Sequence, residues 1–174
     1  MRITTSVRYG LRVMLDLALH EDEVPVLRQD VAARQEISAE YIAQIIRHLS
    51  KGGLVESTMG PGGGYRLARP ATQVHIGDIF RAVEGPIAAV SCVLPDNAGT
   101  CQRSSDCAAR VLWSGLTKTI ENFLDSITLE DLCTIARQLN THPDAGCQNA
   151  IDTLELTVGD LEPCPNKAAN AALL

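Results

Sequence analysis

Cys92, Cys101 and Cys107 fall within sixteen residues, with eight and then five residues between them. Thiolates are soft, strongly donating ligands, and a loop carrying Pro95 and Gly99 can curl three of them around one iron–sulfur cluster. Zinc competes for such a set, but structural zinc draws its cysteines in close pairs two residues apart, and this chain has no such pair. A third chemistry needs no metal at all, because two thiols can close into a reversible disulfide. Spacing alone does not separate cluster, zinc and thiol switch.

The cysteine segment must be held by what flanks it. Upstream, "TTSVRYGLRVMLDLALH" opens with hydroxyl residues suited to capping, and Val7, Leu11, Met14, Leu15 and Ala18 then follow a helical stripe. "LRQDVAARQE" reads as a short second helix. After a three-residue break comes "SAEYIAQIIRHLSKGG", where Ser38 caps, Glu40 suits the positive N-terminal end, and Ile42, Ile45, Ile46 and Leu49 form the buried stripe. Gly52 or Gly53 ends it. Two short helices across a tight turn make a helix-turn-helix. Strand-like pieces at Leu54 to Ser57 and Tyr65 to Leu67 flank a Gly-Pro-Gly-Gly-Gly tip, which completes a winged helix. A phosphate-cradling loop is the weaker reading of that tip, since no Lys followed by Ser or Thr opens a helix after it.

"IGDIFRAVEG" predicts another short helix, stopped by Gly85 and Pro86. Beyond the cysteines, Ala108, Leu112, Leu116, Ile120, Phe123, Leu124 and Ile127 recur at helical spacing over about five turns. So long an apolar seam beside a small domain predicts pairing with a second copy of the chain; packing on its own domain is the alternative. "TLEDLCTIARQLN", with Thr128 as cap and Asp131 three residues on, predicts a last short helix. The expected class is mainly α with a small β-hairpin wing. The expected division is a winged helix-turn-helix over 1–85, a cysteine loop over 86–107, a dimerisation helix and short C-terminal helix over 108–140, and a flexible tail over 141–174.

Charge limits the partners. Residues 1–70 hold nine Lys and Arg against eight Asp and Glu, whereas residues 71–174 hold six against thirteen. A surface for a polyanion therefore belongs to the first half. Six aromatic residues in the chain argue against a base-stacking platform for single strands. Arg8, Arg12 and Asp16 interrupt the first apolar run, which excludes a signal peptide there, and no stretch reaches the ~18 apolar residues of a membrane helix. The expected compartment is the cytoplasm, where cysteines serve as thiols or metal ligands rather than a disulfide framework. No paired carboxylates, nucleophile triad or nucleotide loop marks an enzyme.

In a winged helix the second helix of the turn motif enters the major groove of double-stranded promoter DNA, and the wing reaches the backbone or minor groove. Ser38, Glu40, Tyr41 and Gln44 are then the outward residues. Gln44 can pair bidentately with adenine and Glu40 can accept from cytosine, while Ser38 and Tyr41 suit phosphates. Arg47, Lys51, Arg66 and Arg69 add positive charge, and Gly62, Gly63 and Tyr65 belong to the wing that approaches the duplex. For any one of these residues a merely solvated face explains as much; the arrangement favours DNA. A protein-interaction adaptor using the same surfaces is the alternative from a different class.

Taken together, "MRITTSVRYGLRVMLDLAL", "ISAEYIAQIIRHLSKGGLVES", "GPGGGYRLARP", the three-cysteine loop and "FLDSITLEDL" resemble the bacterial iron–sulfur transcription regulators of the IscR, NsrR and RirA family over roughly residues 1–135. The resemblance implies a homodimeric DNA-binding regulator, most simply a repressor, that senses iron–sulfur status, iron, nitric oxide or redox stress. It also implies that Cys92, Cys101 and Cys107 hold the cluster, 2Fe–2S as first choice and 4Fe–4S as second. The chain departs from the family pattern at several places. Met59 stands where an arginine commonly precedes the wing tip, and Ala43 where relatives carry a polar reader. Arg8, Arg12 and Arg110 occupy the positions from which relatives take their remaining ligands. The fourth ligand is left to Asp96, Ser104, Ser105 or Asp106, to Cys133, Cys147 or Cys164, or to a small exogenous molecule. Cys133 is the one of these best suited to simple burial in a helix.

Overall fold

The computed structural model describes residues 3–20, 25–60, 62–94, 101, 103 and 106–141. Helix α1 (Thr5–Leu19) starts at Thr4, whose hydroxyl accepts from the Val7 amide at 3.3 Å and satisfies a first-turn donor. Its buried face runs through Val7, Gly10, Val13, Met14, Leu17 and Ala18. Leu11 and Leu15 are only half-buried, because the face turned to the interior lies about one position round from them. Asp16 is buried on this helix and accepts from Arg34 Nε at 3.0 Å, Arg34 Nη2 at 2.8 Å and Gln35 Nε2 at 2.9 Å. The charge that interrupts an apolar run in the sequence thus ties the first helix to the second.

Helix α2 (Arg28–Gln35) closes on Glu36 in the left-handed region, φ 54°. The Glu36 amide donates to Ala33 O at 3.4 Å and the Ile37 amide to Ala32 O at 3.1 Å, the paired bonds of a Schellman stop. That stop delivers Ser38, whose Oγ accepts from Tyr41 N at 3.3 Å and caps α3 (Ala39–Lys51). Ile42, Ile45, Ile46 and Leu49 go inward, as their spacing predicts. Strands β1 (Val55–Thr58) and β2 (Gly64–Leu67) pair antiparallel, Val55 opposite Leu67 and Thr58 opposite Gly64. Gly60 and Gly62 turn the tip with φ of 105° and 80°, values an L side chain rarely adopts. Val26, just before α2, exchanges both backbone bonds with Tyr65 at 3.0 and 2.9 Å and so holds β2 on the edge away from β1.

Helix α4 (Ile76–Glu84) buries Ile76, Gly77 and Ile79 and ends on Gly85. Helix α5 (Ala108–Ser126) follows the cysteine segment, and α6 (Leu129–Thr141) completes the described chain. The Ile76 amide donates to Ile127 O at 3.0 Å and the Leu129 amide to Val74 O at 2.8 Å, so the end of α5 is stitched to the start of α4. The chain divides into two compact units, Met1–Glu130 and Asp131–Leu174. The second is described only along α6, where Cys133 is buried. The tail over 142–174, with Cys147 and Cys164, lies outside the described residues, as do Asp96, Ser104 and Ser105. The architecture is the α+β winged helix that the sequence predicts.

The single apolar seam predicted for α5 is two faces. Trp113, Thr117, Ile120 and Leu124, at spacings of four, three and four, are half-buried, and Thr117 Oγ1 accepts from Ala89 N at 3.0 Å. That face turns to its own domain. Leu112 and Leu116 stay 64% and 42% exposed, and Phe123 39% exposed, on a second stripe with no partner among the described residues.

Candidate functional site

The α3 surface is built by its own periodicity. With Ile42, Ile45, Ile46 and Leu49 inward, Glu40, Gln44, Arg47, His48 and Lys51 are all exposed on the opposite side, with Ser38 exposed at the cap. Glu40 lies in the first turn and the basic residues toward the last, so each suits the helix dipole at its end. Side chains able to read base edges stand at the N-terminal half of this face, and those able to grip phosphate at the other.

Tyr41 is placed differently from the expectation. It is half-buried, its hydroxyl 3.0 Å from Ser6 Oγ and its ring edge-on to Tyr9 at 5.8 Å between centroids. Arg12 lies 5.4 Å from the Tyr9 ring centre and donates to Gln35 O at 2.7 Å. The recognition helix is thereby keyed to α1, and Arg12 acts as a staple between α1 and the end of α2.

In the wing, Gly63 N donates to Gly60 O at 2.8 Å and closes the tip, with Gly62 exposed beside it. Tyr65 is half-buried against Val26. Arg66 is exposed but paired across the strands with Glu56 at 2.8 Å. Such an exposed pair is worth ~0–1 kcal/mol and reopens readily when a phosphate competes. Met59 is 94% exposed at the tip. Between α2 and the wing lies an open cleft of about 470 Å³, walled by Leu27, Arg28 and Gln29 on one side and Ser57, Thr58, Met59 and Tyr65 on the other. Arg28 and Gln29 escaped the sequence reading, although a basic residue opening the first helix of the turn motif was a usable signal.

The three cysteines precede α5 in the chain, and Cys107 stands at its start. Cys92 is half-buried in the short 3-10 turn Ser91–Val93, which packs on α5. Cys107 is half-buried at the α5 N-cap and makes no side-chain capping bond, so its sulfur is not used to start the helix. Cys101 is exposed between them in sequence, and none of the described cysteines is in a disulfide. Among the described residues no three His, Cys, Asp or Glu side chains are assembled to hold one metal ion. The donor chemistry nevertheless fits an iron–sulfur group: three thiols, one of them, Cys107, at a helix start whose positive end favours an anionic group. Asp106 is exposed next to Cys107, and Arg110 donates its amide to Cys107 O at 3.0 Å.

Residues 3–135 match the family model described as "Rrf2: Iron-dependent Transcriptional regulator". The chain is 41% identical over 134 residues to the HTH-type transcriptional regulator IscR of Vibrio parahaemolyticus, covering 77% of this chain and 78% of that one. It is 36% identical over 160 residues to that of Escherichia coli O1:K1 / APEC, covering 87% and 97%. Among solved structures it is similar to T. potens IscR, with a TM-score of 0.63 at 36% identity over 78% of this chain and 88% of that one. CymR, described as the global cysteine regulator of B. subtilis, gives 0.63 at 36% over 77% and 97%. The oxidised form of Staphylococcus aureus CymR gives 0.58 at 30% over 76% and 96%. These relatives are transcription regulators and not enzymes, and no described helix is long and apolar enough to cross a membrane. The chain belongs to the Rrf2 family and is a DNA-binding transcription regulator.

Proposed function

We propose that this regulator senses iron–sulfur status, iron, nitric oxide or redox stress through a cluster held by Cys92, Cys101 and Cys107, and that cluster state sets its affinity for promoter DNA. The observation that carries the reading is the set of three thiols gathered on the segment that runs into α5, in a chain of an iron-dependent regulator family. A 2Fe–2S cluster is the first choice and 4Fe–4S the second. When bound, such a cluster supplies a one-electron redox couple and thiolate-ligated iron open to attack by small reactive molecules. Arginine at positions 8, 12 and 110 cannot ligate iron, so the fourth ligand comes from elsewhere in the chain or from a small exogenous molecule; a cluster ligated by the protein only in part would be easier to strip.

The working form is a homodimer. Leu112, Leu116 and Phe123, with Thr119 between them, follow spacings of four, three and four along the outer face of α5. That is the seam by which two helices pair. Two copies would place two α3 faces and two wings on one operator as a cytoplasmic repressor. Binding of fluorescent duplex from the protein's own promoter, titrated over salt with the chain in loaded and stripped forms, tests the reading. A tenfold or larger difference between the forms supports it, and equal affinity at every salt concentration sinks it.

A metal-free thiol switch is the second reading, favoured by the exposure of Cys101 and by a relative solved in an oxidised form. Two thiols would give up two protons and two electrons to an oxidant and form one S–S bond. Thiol labelling before and after peroxide separates it from the first.

A further inference from the structure

Four charged side chains of alternating sign join the base of the wing to the far end of α5. Arg69, two residues beyond β2, places Nη2 2.7 Å from Asp78 Oδ2 in the first turn of α4. The other oxygen of Asp78 lies 3.5 Å from Arg81 Nη1, and Arg81 Nη2 lies 2.5 Å from Asp125 Oδ2. The side-chain route from Arg69 to Asp125 runs through Asp78 and Arg81, beside the backbone bonds that join Ile76 to Ile127 and Leu129 to Val74.

The fold makes room for this chain. At Gly77 an added Cβ would collide with Asp125 Oδ1, so the bare backbone there is what admits the carboxylate to α4. Asp78 is held in place by the His75 amide, which donates to its Oδ2 at 3.3 Å, and Asp78 N donates back to His75 O at 3.0 Å. The bond from Asp125 raises the Arg81 pKa above that of an ordinary arginine. An arginine whose folded pKa is raised keeps its contribution at every pH below its unfolded value, so this link is not itself a sensor of neutral pH.

We infer that Asp78 and Arg81 are positioning residues for DNA binding, which set the wing against α5 by sharing one carboxylate between two arginines. Asp78 divides its oxygens between Arg69 and Arg81. With Asp125 engaged, Arg81 has a second partner and Asp78 holds Arg69; with Asp125 withdrawn, Arg81 draws on Asp78 and the base of the wing loosens. Helix α5 spans nineteen residues, about 28 Å, between Cys107 at its cap and the turns that carry Asp125. A change in its setting at either end would reach the wing by this route. The wing's role rests on the DNA-binding assignment; the link itself needs neither cluster nor dimer.

Amide hydrogen exchange of the stripped, full-length protein over residues 54–68 reads the link directly, with residues 42–51 of α3 as the internal control. Exposed ion pairs are worth a fraction of a kcal/mol, so Asp125→Ala and Arg69→Gln are each expected to speed wing exchange about threefold. If the four groups act in series, the double variant is also about threefold faster, whereas independent contacts would multiply to about ninefold. Asp125→Glu is expected to restore much of the protection. Gly77→Ala, which pushes Asp125 away, is expected to match Asp125→Ala. Should Asp125→Ala not fold, Asp125→Asn of equal volume carries the same cycle. Multiplying effects, an unchanged wing in Asp125→Ala, or equal acceleration in α3 each overturns the inference.

Discussion

The Tyr41 hydroxyl lies 3.0 Å from Ser6 Oγ, so the N-terminal half of the recognition helix is locked to α1 by a residue whose position in the sequence points it at DNA. Tyr41→Phe keeps the edge-on ring contact with Tyr9 and loses only that bond. It is expected to lower stability by about 1 kcal/mol, as is Ser6→Ala. Because the two residues share one interaction, the double variant should cost no more than about the same 1 kcal/mol. Urea unfolding followed by circular dichroism measures all three, and additive losses would contradict the pairing.

Glu36 holds φ 54° at the turn between α2 and α3, a conformation that costs an L residue about 1 kcal/mol. Glu36→Gly relieves it without touching the Schellman bonds. Part of the gain is offset by the greater freedom of glycine in the unfolded chain, leaving an expected increase of about 0.5 kcal/mol. A rise in the urea midpoint at constant slope is the outcome to look for.

Met59 stands exposed at the wing tip, where a cation would reach the duplex backbone or minor groove. Met59→Arg should tighten binding to promoter duplex and steepen the dependence of log affinity on log salt by about 0.9, one released counterion's worth. Fluorescence anisotropy across a salt series measures this. An unchanged slope would show that the tip stays clear of the phosphates.

Leu116 is exposed in one chain, so a charge there should spare the monomer fold and break the seam between two copies. Leu116→Glu is expected to sediment at the mass of one chain with its helical circular dichroism retained. A dimer that survives this change, and Phe123→Glu as well, would place the subunit contact elsewhere.

The winged helix was legible because its rules are local. Ser38 as cap, the 42–45–46–49 stripe and the glycine tip each declare themselves within a few residues, and each appears where it was expected. The two faces of α5 were not legible, since Ile120, Phe123, Leu124 and Ile127 are all apolar and only contact with α4 decides which of them turn inward. Asp16 read as a break in an apolar run, because its partner Arg34 lies eighteen residues away. The chain from Arg69 to Asp125 was invisible for the same reason: each member is an ordinary surface charge until the fold brings it to the next. At the cysteines the sequence supplied the donors and their likeness to a family, but spacing could not choose among cluster, zinc and disulfide.

The central claim is that Cys92, Cys101 and Cys107 carry an iron–sulfur cluster. Anaerobic isolation followed by visible absorption, with iron and acid-labile sulfide measured on the same sample, tests it most directly. The account predicts sulfur-to-iron charge-transfer bands with iron and sulfide in matching amounts, lost when any one of the three cysteines is replaced by serine. A colourless protein that takes up neither iron nor sulfide on reconstitution, with all three thiols intact by labelling, would contradict it.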